Sequence, residues 1–467
     1  MQAKLSLCMG LLVLIATGCR VDSSHRPYQA AADLGSSQSE PAPPAAAVAE
    51  VRDSPVTLQQ CIEIALKNNP QVVGGRWDVQ AAKAERDAVS GQKWPGLALE
   101  TGYRRYLDDQ RLVMPRYPNE SGVYGDDLFT GDLVLRMPIF TAGRLRNEIQ
   151  AVELLSQSVS YRLVRTRREL VFNVTQVFYR ILAQRHVIES LEFSKKAMEE
   201  HYKRVTDLMT AQKAAKVDLL RTEVRLADLS QRVVAERNTM SILLRVLNNF
   251  LGLGDPGSGV EIKGDLELRP VDVNLPDSMA RAYSRRSDYL AGQKEAEAQA
   301  RRLKVARGGR WPIVSAVGTY GLRYAAGPSF HSSGSEDMED VGFAGVEAHI
   351  PLFEGGSINA RTQRERAKLR SLQEQLRKLR LQIRLDVETA ISNITSSRQR
   401  ASAMEKSIAQ AEESLRIERE KYELGKGSIT DVLDAQTALL EAQTVYFRAL
   451  ADYGSAVAQW RLAIGEN

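Results

Sequence analysis

The feature that most constrains this chain is that it repeats itself. Ala65-Leu66 followed by Asn69-Pro70 returns as Ala282-Tyr283 followed by Arg286-Ser287, and Trp94-Pro95 returns as Trp311-Pro312. Met137-Pro138-Ile139-Phe140 returns as Ile350-Pro351-Leu352-Phe353, Gly143 as Gly356, and Asp218-Leu219-Leu220 as Asp431-Val432-Leu433. The offset is 217 for the early landmarks and 213 for the later ones, so the second copy is shorter between the Trp-Pro and Pro-x-Phe landmarks. Landmarks that recur in order at a fixed spacing mean two copies of one structural unit, and each copy must satisfy the same folding constraints.

The longest part of each copy can only be helix. Between Arg144 and Leu251 there is neither Gly nor Pro, and between Ser357 and Leu424 there is neither again. As one rod the first stretch would span about 160 Å, so it must double back. Gly425 and Gly427 mark the turn in the second copy, which places the first turn near 211–215 and makes both outgoing helices about 100 Å long. After the second turn Val432, Leu439, Tyr446, Tyr453 and Trp460 fall at every seventh position, interleaved with Ala435, Ala442, Ala449, Ala456 and Ala463. In the first copy Leu219, Leu226, Val233, Met240 and Leu247 hold the same register, with Glu236 the one charge in the intervening set. Leu369, Leu372, Leu376, Leu379 and Ile383 carry the seam on the outgoing helix. A seven-residue repeat keeps one stripe facing a partner helix and supercoils the pair. By themselves these helices fit an ordinary antiparallel coiled coil.

The segments before them do not. After Trp94-Pro95 the pattern alternates, with Leu97, Leu99, Thr101 and Tyr103 opposing Glu100, Gly102 and Arg104. Phe129, Leu133, Leu135 and Met137 likewise oppose Thr130, Asp132 and Arg136. In the second copy Val314, Ala316, Tyr320 and Leu322 oppose Ser315, Thr319 and Arg323, and Ala344, Val346, Ala348 and Ile350 oppose Gly345, Glu347 and His349. Runs of about ten residues with one apolar and one polar face suit strands crossing a bilayer obliquely. A half-buried soluble sheet would alternate in the same way. Four strands, however, cannot close around a polar lumen, and an open sheet edge cannot face lipid. Several chains must share one barrel, and three would supply twelve strands and twelve long helices. Between the strands, 108–127 and 325–340 are polar loops expected outside the cell.

Composition narrows the classes further. The net charge is +5 with Arg and Lys interleaved among Glu and Asp, which argues against a nucleic-acid partner. No apolar stretch after the N-terminus is long enough for a membrane-spanning helix. The five histidines, His25, His186, His201, His331 and His349, show no metal-ligand spacing, and no phosphate loop or nucleophile elbow is present. No enzyme activity, cofactor or metal is therefore expected, and His186 and His201 read as helix-surface residues. The start of the chain, Lys4 and an apolar run from Leu5 to Ala16 before Ala16-Thr17-Gly18-Cys19, reads as an export signal. It resembles a bacterial lipoprotein signal, although Ala16 stands where Leu is usual. That resemblance implies lipidation of Cys19, and Arg20 implies sorting to the outer membrane. Cys8 falls in the removed segment, so Cys61 is left alone as a small core residue without a disulfide partner.

The expected organisation is a signal peptide over 1–18 and a lipid-anchored, Ala-, Ser- and Pro-rich disordered tether over 19–50. A first repeat covers 51–255, with strands about 97–106 and 128–138 and a helical hairpin over 144–251. A connection over 256–275 leads to a second repeat over 276–467, with strands about 313–324 and 341–350 and a hairpin over 357–464.

Leu58 to Pro70, the MPIF and IPLF junctions, and Tyr422-x-x-Gly425 followed by Asp431-Val432-Leu433-Asp434-Ala435 together resemble the TolC-like outer-membrane efflux family from about Pro55 to Gly465. The resemblance implies a mostly α, internally duplicated fold: four strands per chain in a twelve-stranded trimeric β-barrel, joined to a periplasmic α-barrel of coiled-coil helices. It also implies a passive exit duct of a tripartite efflux or secretion system in a Gram-negative outer membrane. The homotrimer would dock on a periplasmic adaptor (membrane fusion) protein and an inner-membrane pump. A lipid-anchored periplasmic coiled-coil scaffold without a channel is the alternative, and a lipid-anchored adhesin or enzyme a third.

Asp431 and Asp434 lie three apart on one helix face, so in a threefold tube each forms a ring of carboxylates, with Asp218 a third ring. At about 7 Å two such charges repel by about 0.6 kcal/mol in water and about 2 kcal/mol at an effective dielectric of 20. Such rings should attract cations, and the resemblance implies that Asp431 and Asp434 line a periplasmic gate, with Tyr422 and Asp218 bridging neighbouring helices. On an isolated helix Asp431 would simply cap the turn that begins near Ser428. Gly427 stands where the family often has a locking Arg, and the first tip, Gln212-Lys213-Ala214, lacks a turn glycine. Gly425, Gly427, Gln212 and Lys213 form the expected tip turns and adaptor-docking surface. Trp94, Pro95, Pro138, Phe140, Trp311, Pro312, Pro351 and Phe353 mark the barrel–helix junction, where the aromatics form an inner aromatic girdle, the packing of the joint, or both.

Overall fold

A computed structural model of the chain describes residues 55–113, 123–212, 215–253, 261–326 and 338–466. The expected lipid site Cys19 and the tip residue Lys213 lie outside the described residues. Each copy begins with a short helix pair: α1 (Leu58–Asn68) and α2 (Pro70–Gly91) in the first, α5 (Leu275–Arg285) and α6 (Ser287–Gly308) in the second. Between them lie β1 (Gly96–Val113), β2 (Val123–Phe140), α3 (Arg144–Thr210) and α4 (Lys216–Leu251) of the first copy. The second copy continues with β3 (Ile313–Ala326), β4 (Met338–His349), α7 (Ser357–Glu423) and α8 (Ile429–Ile464). The outgoing helices α3 and α7 each run 67 residues, and the returning helices α4 and α8 each run 36. At 1.5 Å per residue the long helices reach about 100 Å.

The duplication extends into the packing. One core gathers Ala65, Val72, Leu170, Val174, Ile181, Leu247 and Leu251. The other gathers Ala282, Tyr289, Ile383, Val387, Ile394, Trp460 and Ile464, the residues at the corresponding positions. In both copies a glycine ends the returning helix in the left-handed conformation, Gly252 at φ 70° and Gly465 at φ 77°. Each sits against the break between the short helices. A Cβ on Gly252 would lie 2.8 Å from the Asn68 oxygen, and one on Gly465 would lie 2.7 Å from the Arg285 carbonyl carbon. Only glycine fits a site with both a positive φ and backbone this close. The connection between copies is tied down as well, since Ile262 forms a parallel bridge with Val56 and Arg185 donates to the Ile262 oxygen at 2.7 Å.

The four strands form one antiparallel sheet in the order β1-β2-β3-β4, which leaves β1 and β4 as open edges. The register brings the alternating apolar sets onto a single face. Leu97 pairs with Leu135, Leu99 with Leu133 and Tyr103 with Phe129, while Leu133 pairs with Tyr320, Met137 with Ala316 and Ala316 with Val346. The opposite face carries Glu100, Asp132, Arg323 and Glu347, with Asp132 and Arg323 ion-paired across β2 and β3.

The strands are longer than the alternation suggested: 18 residues in β1 and β2, 14 in β3 and 12 in β4. Strand pairing needs only backbone groups, so the ladder runs into the polar stretches where side-chain alternation has faded. Pro138 also lies inside β2 instead of ending it. Pairing with β1 begins only at Arg136, so at Pro138 the strand has a neighbour on one side alone, and the missing N–H falls where it is tolerated.

Candidate functional site

The two helix tips lie side by side. At the first, α3 ends at Thr210 and Gln212 takes φ 60°; at the second, α7 ends at Glu423 and Gly425 takes φ 70°. The two residues are equivalent, and each N–H closes the same turn, Gln212 to Met209 at 2.9 Å and Gly425 to Tyr422 at 3.0 Å. The first tip thus keeps the turn geometry without the glycine. Gly427 has an ordinary φ but lies close to the preceding helix, and a Cβ there would be 3.0 Å from the Lys421 Cβ and 3.1 Å from the Tyr422 nitrogen. Any side chain at this position would press on the end of α7.

Asp431 and Asp434 are both exposed, on the first turns of α8. Asp431 also closes a capping box: its Oδ2 accepts from the Ser428 N–H at 3.3 Å, and the Ser428 hydroxyl accepts from Thr430 N–H at 3.1 Å. Such a box satisfies two backbone donors that the helix leaves open. The capping reading of Asp431 is therefore real in this structure, whereas Asp434 makes no side-chain bond among the described residues. In the first copy Ala215 stands where Ser428 does and provides no side-chain cap. Asp218 is left half-buried and faces Tyr422, whose phenol is pushed up by burial and further by the Asp218 charge.

The contacts that join the tips involve residues the sequence did not single out. Arg204 on α3 pairs with Glu423 on α7, Arg221 donates to the Thr430 hydroxyl at 3.1 Å, and Arg225 donates to Thr437. The partners are some two hundred residues apart in the chain, so no local pattern could have suggested them. His201 is not a surface residue. It is half-buried, its ring lies 5.5 Å from that of Tyr422, and its Nε2 has no hydrogen-bond partner. His186 likewise stacks on Phe447 at 4.6 Å across the α3–α8 contact. A polar ring among charged neighbours gave no sign of this, because the burial comes from the second copy. Glu236, the one charge in its seam, is matched by Gln184 at 2.6 Å and Arg448 at 3.2 Å.

At the other end of the helices the junction aromatics stand clear of the chain's own core, with Trp94 74% exposed, Trp311 64% and Phe353 87%, and Phe140 also exposed. None of the four is a core residue of the single chain, although Trp311 lines the joint between α6, the start of α7 and β3. Pro95 is exposed, and Pro138, Pro312 and Pro351 are half-buried beside them. Toward the other end of the sheet the apolar face closes on a second aromatic row, Tyr103–Phe129 at 4.9 Å and Phe129–Tyr324 at 6.0 Å. Immediately beyond it Arg105 pairs with Asp126 at 3.3 Å, and the Tyr103 hydroxyl donates to Asp127 at 2.7 Å. Aromatic rows bounding an apolar band are the pattern of a sheet that meets lipid headgroups at both levels.

Among the described residues no cluster of His, Cys, Asp and Glu is placed to hold a metal ion, and no helix is long and apolar enough to cross a membrane. A family model described as outer membrane efflux protein matches residues 61–253 and 279–466. The outer membrane protein TolC of Escherichia coli (strain K12) is 20% identical over 390 residues, 82% of this chain and 76% of the relative. The protease secretion protein PrtF of Dickeya chrysanthemi is 22% identical over 390 residues, 80% of each chain. The crystal structure of the Campylobacter jejuni outer membrane channel CmeC superposes with a TM-score of 0.76 at 16% identity, covering 87% of this chain and 85% of that one.

Proposed function

This chain belongs to the outer membrane efflux protein family, and we propose that three copies of it build the exit duct of a tripartite efflux or secretion system in a Gram-negative outer membrane. The observation that carries this reading is the sheet itself. It has an apolar face bounded by aromatic rows, a charged opposite face and two unpaired edges, and it leads directly into two 67-residue helices. Lipid tolerates no open edge, so β4 of one copy joins β1 of the next, and three copies close twelve strands. The long helices carry the tube into the periplasm. Exposed apolar residues on α4 (Val224, Val234, Ile242), on α7 (Leu381, Leu385) and Trp77 on α2 then become contacts between copies.

In this assembly Asp431 and Asp434 ring the periplasmic mouth, Asp218 and Tyr422 brace it, and the turns at Gln212 and Gly425–Gly427 present it to an adaptor protein. The exposed Trp94, Phe140 and Phe353 form the inner aromatic girdle, whereas Trp311 lines the joint between α6, α7 and the sheet. A lipid on Cys19 anchors the chain beside its barrel. Transport is passive, and energy comes from an inner-membrane pump.

The assembly is tested by mass measurement in mild detergent and by conductance in planar bilayers; a monomer that forms no channels ends the reading. Asp434→Asn is the clean probe of the gate, because Asp434 does not share the capping duty of Asp431. Unchanged cation selectivity in single-channel recordings of that variant would discard the ring at Asp434, and unchanged selectivity on replacing Asp431 and Asp434 together would discard the gate.

A further inference from the structure

The joint of the second copy contains a cavity of about 610 Å³ bounded by α6, the start of α7, the first turn of α3 and the ends of β3 and β4. Ile313 and His349, which pair across β3 and β4, line it from the face of the sheet that bears Glu347 and Arg323. The cavity therefore opens on the polar side of the sheet and not on its apolar side.

Its wall is cationic beyond what its own carboxylates match. Arg144, Arg302, Arg361, Arg364 and Lys368 face Glu148, Glu354 and Glu365, five positive charges against three negative, an excess of two. Glu365 is already engaged by Arg364 at 2.8 Å and Lys368 at 3.3 Å, and Gln299 holds it from behind at 2.7 Å. Glu354 reaches Arg361 only at 3.9 Å. Arg144 and Arg302 make no ion pair among the described residues, and Glu148 is the one carboxylate of the wall equally unengaged. Beside His349 the rest of the wall is apolar, with Val305, Ala306, Trp311, Ile313 and Ile358.

The fold does not require these cations. At the corresponding places the first copy has Glu85 for Arg302, Glu148 for Arg361, Ala151 for Arg364 and Leu155 for Lys368. The same joint is thus built in the first copy without the basic residues. A guanidinium left without a carboxylate beside an apolar wall is suited to an oxyanion headgroup on a hydrophobic body.

We propose that this cavity is a binding site for an amphipathic organic anion of one or two negative charges, its carboxylate, sulfonate or phosphate headgroup held by Arg144 and Arg302 and its apolar body laid on Trp311, Val305 and Ile358. The site rests on the duct reading only for the direction from which the ligand arrives, the lumen. Three copies would place three such sites at one level of the tube, above the acidic mouth.

The test uses the full chain in nanodiscs of zwitterionic lipid, with decanoate as probe and empty nanodiscs as blank, read by tryptophan emission. Decanoate should change the emission saturably, and the change should disappear in Trp311→Phe. Arg302→Glu and Arg144→Ser each install the residue the other copy has at that place, so the fold has precedent for both; each should weaken decanoate binding about tenfold or more. Decanol and inorganic phosphate should each bind far more weakly than decanoate. Unchanged decanoate affinity in both variants overturns the site. Decanol binding as tightly as decanoate overturns the role of charge, and phosphate binding as tightly overturns the amphipathic ligand. Conductance of the unmodified preparation separates the two readings: channels that conduct but bind no decanoate remove the site alone, and binding without conductance removes the duct.

Discussion

The indole N–H of Trp460 donates to the hydroxyl of Ser278 at 3.1 Å, deep in the second core, and the same two places in the first core are held by Leu247 and Cys61. One copy satisfies a buried polar pair, and the other dispenses with polarity at both places. Ser278→Ala leaves the indole donor buried without its partner and is expected to cost about 1–3 kcal/mol. Cys61→Ser imposes the reverse error, a hydroxyl opposite a leucine, and should cost a similar amount. Thermal melting of the purified protein in detergent reads both, and Cys61→Ala should be the milder change at that site.

Burial also controls the chemistry of Cys61. Its thiol is pushed up to about 12 by desolvation, so the reactive thiolate is scarce at neutral pH. Alkylation by iodoacetamide should be negligible in the folded protein and rapid once denaturant exposes the core, as followed by mass spectrometry.

The left-handed turn at Gln212 carries a cost that Gly425 avoids. A residue with a Cβ in that conformation gives up roughly 1–2 kcal/mol. Gln212→Gly should stabilise the first tip by about 1 kcal/mol, and Gly425→Gln should destabilise the second by about as much. Hydrogen exchange of the tip segments measures each change locally.

Arg286 is a buried cation, 3% exposed, clamped between Asp288 at 2.8 Å and Asp386 at 2.7 Å. Burial alone would raise Asp288, but the Arg286 hydrogen bond and charge, aided by Arg165, hold it below the ordinary carboxylate range. Arg286→Ala leaves two half-buried carboxylates near each other, with Arg165 reaching Asp288 only at 3.7 Å, and should cost about 3 kcal/mol, seen as a fall in melting temperature. The sign for pH follows from the lowered carboxylate. Its contribution is complete above the unfolded value and is lost as pH falls through the folded one, so the wild type should lose stability in acid faster than Asp288→Asn does.

His201 gives the tips a different pH dependence. Burial lowers its pKa, the Arg204 and Arg419 charges lower it further, and Glu423 opposes them. The folded tip therefore favours the neutral ring. Its contribution is full above the unfolded value near 6.5 and falls away as pH drops through the folded one, because the open form then binds the extra proton. Amide protection factors around 198–205 and 419–425, corrected for the intrinsic exchange rate at each pH, should fall on acidification below about pH 6.5 in the wild type and lose that dependence in His201→Phe.

The duplication, the long helices and the alternating strands were legible in the sequence, because each is a periodicity that a chain cannot avoid displaying. The heptad seam with Val432, Tyr453 and Trp460 is buried as its spacing requires. The strand ends were not legible, since pairing through backbone groups continues where side chains stop alternating. At the second tip the capping by Asp431 was legible from its place three residues after Ser428, whereas the contacts of His201 and Arg204 at the same tip were not.

What the sequence determined by itself was local: which segments are helix, which are strand, and that each occurs twice. What only the tertiary structure decided was which copy meets which. Arg204 reaching Glu423, His201 turned against Tyr422, and Arg144 joining Arg302 at one cavity are contacts between the two halves. They depend on how two similar units pack side by side, and that geometry is set by the sum of many weak apolar contacts and not by any motif that a single stretch of chain carries.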